Sequence, residues 1–478
     1  MSAASPAAPS PASVGPASLT TALASAKVKG RMSTPRQLFL LQVAILALAG
    51  LLLLVGEVTL NRTRAAMNTI ARDSAPSIVA AQDIRFALAD LDANAANYLI
   101  GTAFHRALAA DAIEQRRIHV TAALVKAAEN ITYGDDERGP IKAMFLSFGI
   151  YLERLAEARM LHDHADDGHA RDAYLTATGL MHGELFKQAD ALDAVNKKHL
   201  DAAYDEQAQS NEGMEALAAV VGIALGAALL WTQVYLFRKM RRIFNLPLLA
   251  ATVLTIVFTG YLIERFNDAR EDLRSATKDA FDSIYALSHA RAVAYDANGD
   301  ESRFLLDPSP GRGFESDFLK NIALLTSKPQ LASGPLGAEA LRLINHGRRN
   351  PDFKGYFWDE LANVTFDGEG DAATGMVKAF SLYYAIDDRM RALERAGKHD
   401  DAVELCIGSR PDESNAAFDR FDQGLLATLA INRQAFDATV EKGDLGLKKA
   451  SWMDPGFAVV IAVLGWLGLR SRRREYTA

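Results

Sequence analysis

The sequence predicts an all-α integral membrane protein, with four transmembrane helices and two tandem extracytoplasmic antiparallel four-helix bundles. Three observations carry this: four apolar blocks free of charge, long helical-pattern segments between them, and a repeat relating those segments. The chain has 478 residues and is 49% hydrophobic, but that average conceals a sharp segregation.

The spans come first. Residues 38–55, 216–237 and 246–263 contain no Asp, Glu, Lys or Arg, and each approaches the roughly 20 residues that a bilayer helix needs. A fourth block, 456–469, is shorter, but it follows Trp452, an interfacial anchor, and precedes Arg470, Arg472, Arg473 and Arg474. The predicted spans are 38–56, 214–237, 246–263 and 454–470.

Charge sets the orientation, because cytoplasmic flanks accumulate Lys and Arg. The N-terminal stretch carries Lys27, Lys29, Arg31 and Arg36, and the loop 238–245 carries Arg238, Lys239, Arg241 and Arg242, both without acid. These and the basic C-terminus, 471–478, are placed in the cytoplasm, which fits a bacterial cytoplasmic (inner) membrane. With those twelve basic residues and Glu475 set aside, 40 basic and 58 acidic residues remain of the chain's 52 and 59. Acidic outer domains with membrane-hugging basic clusters argue against nucleic-acid binding. Cys406 is the single cysteine, so no intrachain disulfide can form, and it reads as a small core residue. Residues 1–37, rich in Ala, Ser and Pro, read as a disordered cytoplasmic tail rather than a cleaved signal.

The outer segments, 57–213 and 264–453, are related. At a constant offset of 206, Ser77 pairs with Ser283, Ile78 with Ile284, Arg85 with Arg291, Asp90 with Asp296, Tyr98 with Phe304 and Leu99 with Leu305. At offset 233, Asn130-Ile131-Thr132-Tyr133 pairs with Asn363-Val364-Thr365-Phe366. Within each segment, Ala- and Leu-rich stretches are interrupted by short polar turns, with no strand alternation. In the first, breaks near Gly101-Thr102, Tyr133 to Asp136 and Asp166 to Gly168 leave four helices. An even number of antiparallel helices suits a chain that leaves and re-enters the membrane. In the second, breaks fall at Asp307 to Gly311, Asp367 to Gly370 and Ala396 to Lys398, with extra turns between Ser327 and Gly337 and near Arg349 to Pro351. Asp454 and Pro455 read as a cap and first-turn proline that start a new helix at the membrane. Continuity into the fourth span is therefore expected to be poorer than into the others.

Mid-helix polar residues stand out at equivalent places, Arg85, Asp90, Asp92, Asn94 and Asn97 in the first segment and Arg291, Asp296, Asn298, Asp300 and Arg303 in the second. Of these, Arg85, Asp90, Arg291, Asp296, Asp300 and Arg303 are the ligand-binding candidates. An arginine in a bundle groove can clamp a ligand carboxylate, and a nearby acid can take an amino group. The plainer alternative, solvated faces or interhelical salt bridges, is the commoner arrangement on helices. The Asn-Ile/Val-Thr-Tyr/Phe turn reads as helix capping with an aromatic plug. His162, Asp163, His164, Asp166, Asp167 and His169 match no defined metal site and read as a solvated loop. No signature of a phosphate loop, nucleophile elbow, zinc protease or kinase occurs, so neither enzymatic activity nor a cofactor is expected.

A four-helix bundle between two spans resembles the ligand-binding domain of methyl-accepting chemotaxis receptors, without their downstream adaptation helix. The stretches ALSHARAVAYDANGDESRFLLD from Ala286 and ELANVTFDGEGDAATGMVKAF from Glu360 look more like actinobacterial tandem four-helix-bundle membrane sensors. The likeness is stronger in the second segment than in the first. It implies an amino-acid sensing relay that passes the state of an extracytoplasmic solute-binding lipoprotein to a cytoplasmic Ser/Thr kinase. In such a relay Arg238, Lys239, Arg241 and Arg242 are the candidate partner contacts. A scaffold that organises partners without switching is the alternative. A transporter ranks third, because the spans carry few polar groups beyond Gln42, Gln233, Thr252 and Thr255.

Overall fold

The computed structural model describes residues 33–240, 245–309, 313–327, 329 and 354–474. Their regular structure is entirely helical, and four helices are long and apolar enough to cross a membrane. The chain divides into two compact units. One comprises 1–57, 216–263 and 452–478, and the other 58–215 and 264–451. Arg241, Arg242, the turn near Arg349 to Pro351, most of the stretch between Ser327 and Gly337, residues 310–312 and 475–478, and the tail up to residue 32 lie outside the described residues.

The apolar unit contains the spans of α1 (Thr34–Asn68), α6 (Phe186–Met240), α7 (Leu246–Arg274) and α13 (Ser414–Arg474). Helix α1 begins at Thr34, so the last residues assigned to the tail, 34–37, are already helical. Small residues let these helices approach. A Cβ on Gly222 would meet Thr259 Oγ1 at 2.3 Å, and one on Gly468 would meet Leu248 at 2.7 Å. The polar groups noted in the sequence bond locally: Gln233 donates to Thr252 Oγ1 at 2.9 Å, and Thr255 to the carbonyl of Ala251 at 2.8 Å.

Helix α13 corrects the expectation of a break before the fourth span. It runs through Gly443, Gly446 and Pro455 without interruption. Pro455 lacks one backbone donor, yet the helix continues through it. Asp454 is therefore not a cap. It is buried beside Gly56, whose Cβ would lie 3.2 Å from Leu262 and 3.4 Å from the Asp454 carboxylate. An ionisable side chain thus sits within the apolar unit.

The second unit holds the two segments that lie between the apolar helices in the sequence. After α1 the backbone widens into a π turn at Thr69–Ser74 and continues as α2 (Ala75–Ile100). Then come α3 (Ala103–Glu129), α4 (Asp135–Asp163) and α5 (Asp167–Leu180), and a second π turn, Met181–Leu185, leads into α6. The other segment opens similarly: α7, a π turn at Ser275–Phe281, then α8 (Asp282–Leu306). It continues with α9 (Phe314–Leu325), α10 (Tyr356–Leu361), α11 (Glu369–Arg395) and α12 (His399–Ile407) before α13.

The two segments share one continuous hydrophobic core instead of enclosing separate ones. Helices α2 and α8 pack along each other through the middle of it. Their composition permits this. Both are buried almost all round, with alanine at 81, 87, 89, 93, 95 and 96 in α2 and at 286, 290, 292, 294 and 297 in α8, small enough for close neighbours on every side. Cys406 is buried in the same core.

The repeated turns are built alike. Glu137, buried at the start of α4, accepts from the backbone N–H groups of Thr132 at 2.6 Å and Tyr133 at 2.7 Å. Glu369, buried at the start of α11, does the same for Thr365 at 2.6 Å and Phe366 at 2.9 Å. Asn130 donates to Ser77 Oγ at 2.8 Å, and Asn363 to Ser283 Oγ at 3.0 Å. The glutamate, downstream of the recognised motif, supplies the turn's capping acceptor, while the asparagine ties the turn to the central helix.

Candidate functional site

All six mid-helix candidates lie on α2 and α8, and the structure sorts them into three groups along the contact between these helices.

The most buried group centres on Arg303. Its Nη1 donates to Asp92 Oδ2 at 2.7 Å and its Nη2 to Asp296 Oδ1 at 2.8 Å. Nη2 and Nε also reach Asp300 Oδ1, at 2.8 and 3.1 Å. The guanidinium has room because position 299 is glycine; a Cβ there would meet Nη1 at 2.9 Å. Asp92 also accepts from Tyr151 at 3.0 Å and from Thr178 at 2.6 Å. His182 Nε2 meets Asp296 Oδ1 at 2.9 Å, and Asn321 donates to Asp300 Oδ2 at 3.0 Å. Residues from α2, α4, α5, α8, α9 and the π turn before α6 thus converge on one guanidinium.

Three carboxylates around one arginine and one histidine cannot all ionise cheaply out of water. Burial pushes Asp300 up to about 7, against the pull of Arg303 and with Asp296 adding to the rise. Burial also acts to raise Asp296, but its hydrogen bond and charge contact with His182, with Arg303 behind them, hold it below the usual carboxylate range. For His182 burial opposes the charge, and the Asp296 contact outweighs it, so the imidazole is raised.

A second group surrounds Phe86. Arg291 makes a bidentate pair with Asp422, at 2.6 and 2.8 Å, and its guanidinium lies 3.7 Å from the Phe86 ring centroid. Arg116 lies 5.0 Å from the same centroid and pairs with Asp90. Burial raises Asp90 despite Arg116. The third group is Arg85, whose Nε sits 2.8 Å from Asp190 Oδ1 and whose guanidinium covers Phe186 at 4.7 Å. Close by, Asp193 accepts from Tyr285 at 3.2 Å.

Every candidate therefore has an opposite charge within the protein. Asp92, the acceptor that ties the two segments together, stands out in the sequence as a mid-helix polar residue, but nothing in the sequence pairs it with Arg303. Its equivalent in the second segment at offset 206 is Asn298, and that of Arg303 is Asn97, so matching the repeats conceals a pair that exists through their difference. None of the six lines the cavity of about 260 Å³ in the first segment, which Ser77, Lys126, Asn130, Glu137 and Leu192 enclose. In the histidine-rich turn, His162 pairs with Asp167 at 2.7 Å and His169 with Asp166 at 2.9 Å, and no group of three metal-ligating side chains forms among the described residues.

Residues 66–205 match the family model of an actinobacterial sensor domain. The match falls on the first outer segment, whereas the sequence resemblance rested mainly on the second. No curated protein and no solved structure matches the chain. The matched region contains Arg85, Asp90, Asp92, Asp190 and both turns that flank α3.

Proposed function

We propose that this chain is a non-enzymatic transmembrane sensor of the bacterial inner membrane, with both termini in the cytoplasm and two duplicated helical segments outside, packed around one core. It takes a small-molecule signal, an amino acid by the resemblance above, either directly or through a solute-binding lipoprotein. It relays that signal to a cytoplasmic partner such as a Ser/Thr kinase. The observation that carries this reading is the sensor-domain match on residues 66–205 in a chain with four helices able to span a membrane. The duplication is supported by the π turns at 69–74 and 275–281 and by the equivalent roles of Glu137 and Glu369. A signal received by either segment would reach the other through α2 and α8, since an interface with discrete ion pairs favours discrete arrangements over gradual deformation. Arg238, Lys239, Arg241 and Arg242 remain the proposed cytoplasmic contact.

Affinity capture of the detergent-solubilised chain followed by mass spectrometry tests the relay. Co-purification of a solute-binding lipoprotein or a Ser/Thr kinase, lost on adding or withdrawing an amino acid, is expected. Capture of neither under any amino-acid condition sinks it. The complete internal pairing of the six candidate residues favours a scaffold as the second reading, and partners retained regardless of amino acid would select it.

A further inference from the structure

The last turns of the span in α6 present one face whose character changes along the helix. Trp231, Val234, Tyr235, Arg238 and Lys239 recur at positions i, i+3, i+4, i+7 and i+8, and together they line a cavity of about 210 Å³. Trp231 and Val234 are 67% and 46% exposed, an arrangement suited to acyl chains rather than water. One to two turns further, Arg238 and Lys239 supply positive charge. No carboxylate among the described residues pairs with either, and residues 216–263 contain no acid at all.

Tyr235 holds the two halves of this face in register. Its hydroxyl donates to Gln37 Oε1 on α1 at 2.5 Å, and the Lys239 ammonium sits 5.7 Å from its ring centroid. Contact with α1 makes this a fixed recess instead of a free helix end. The end of α13 also pairs a tryptophan with an arginine, but there Arg470 folds over Trp466 at 4.4 Å.

We infer that this face binds one anionic phospholipid, with acyl chains along Trp231 and Val234 and the phosphate held by Arg238 and Lys239. Free phosphate satisfies the basic pair alone. A zwitterionic lipid covers the apolar part but brings its own cation toward two others.

Native mass spectrometry of the full chain, released from detergent with phosphatidylglycerol, phosphatidylcholine or inorganic phosphate, tests this. Phosphatidylglycerol should be retained in competition with phosphatidylcholine. Each basic residue close to a membrane surface contributes about five-fold, so Arg238→Gln with Lys239→Gln should reduce retention about 25-fold, and Arg470→Gln should leave it unchanged. Trp231→Ala, which alters no charge and no topology signal, should weaken retention several-fold. Equal retention of phosphatidylcholine, an equal loss with Arg470→Gln, undiminished retention in Trp231→Ala, or phosphate stabilising the chain as well as the lipid does would each overturn the inference.

Discussion

Arg303 and Asp92, 211 residues apart, form a 2.7 Å ion pair in which both side chains are essentially inaccessible to solvent. It joins the second outer segment to the first at the centre of their shared core. A buried pair of this kind contributes little beyond an apolar replacement of both partners, but leaving one partner alone is costly.

Replacing Arg303 by Met should therefore destabilise the unit formed by 58–215 and 264–451 by about 3–5 kcal/mol, because three carboxyl groups lose their common donor. Thermal melting followed by circular dichroism measures it. Combining Arg303→Met with Asp92→Asn should cost less than the sum of the single changes. Strict additivity would show that the two side chains do not interact.

Asp300 gives the cluster a pH dependence of definite sign. Its carboxyl, pushed up to about 7, binds a proton more tightly when folded than when unfolded. Its contribution is fully present below about pH 4, falls as the pH rises toward 7, and stays lost above that. His182, also raised, extends the decline upward from its ordinary range. Asp300→Asn keeps a neutral, hydrogen-bonding side chain, so its stability relative to the parent should grow between pH 4 and 7 and then level off. A constant difference across that range would show that Asp300 does not titrate there.

The equivalent turn glutamates should respond unequally. Glu137→Gln loses a charged acceptor for two backbone donors and should cost about 1–3 kcal/mol. Glu369 also shares Asn432 with Glu360, which burial and the Glu369 charge push up to about 8. Glu369→Gln removes that repulsion along with the cap, so it should cost less. Denaturant titration of both variants compares them, and an equal or larger loss for Glu369→Gln would contradict the shared-carboxyl arrangement.

Cysteines introduced at Asp136 and Gly368, in a Cys406→Ala background, should react with a membrane-impermeant thiol reagent in intact cells. Gly368 has a φ of +83°, so a milder position, Asp367, provides a second reporter for that turn. Protection of either turn would reverse the proposed topology.

The sequence by itself determined that four helices are long and apolar enough to cross a membrane and where most helices end, because those depend on local quantities. Uncharged stretches of bilayer length, the Gly101-Thr102 break before Ala103 and the polar turn before Asp135 are all legible one segment at a time. It also singled out Arg85, Asp90, Asp92, Arg291, Asp296, Asp300 and Arg303, since charges in the middle of Ala-rich helices are conspicuous. Tertiary structure alone decided what they face. A helix buried all round has no solvent side to point charges toward, so its pattern does not reveal whether an arginine meets a ligand, water or a distant aspartate. The partners of Arg303 and Arg291 include Asp92 and Asp422, 211 and 131 residues away. Helix continuity at Pro455 was likewise decided in three dimensions, because one missing backbone donor is a local cost that surrounding hydrogen bonds and packing offset. Local chemistry thus fixed where the helices are, and long-range packing of α2 against α8 fixed which charges neutralise one another.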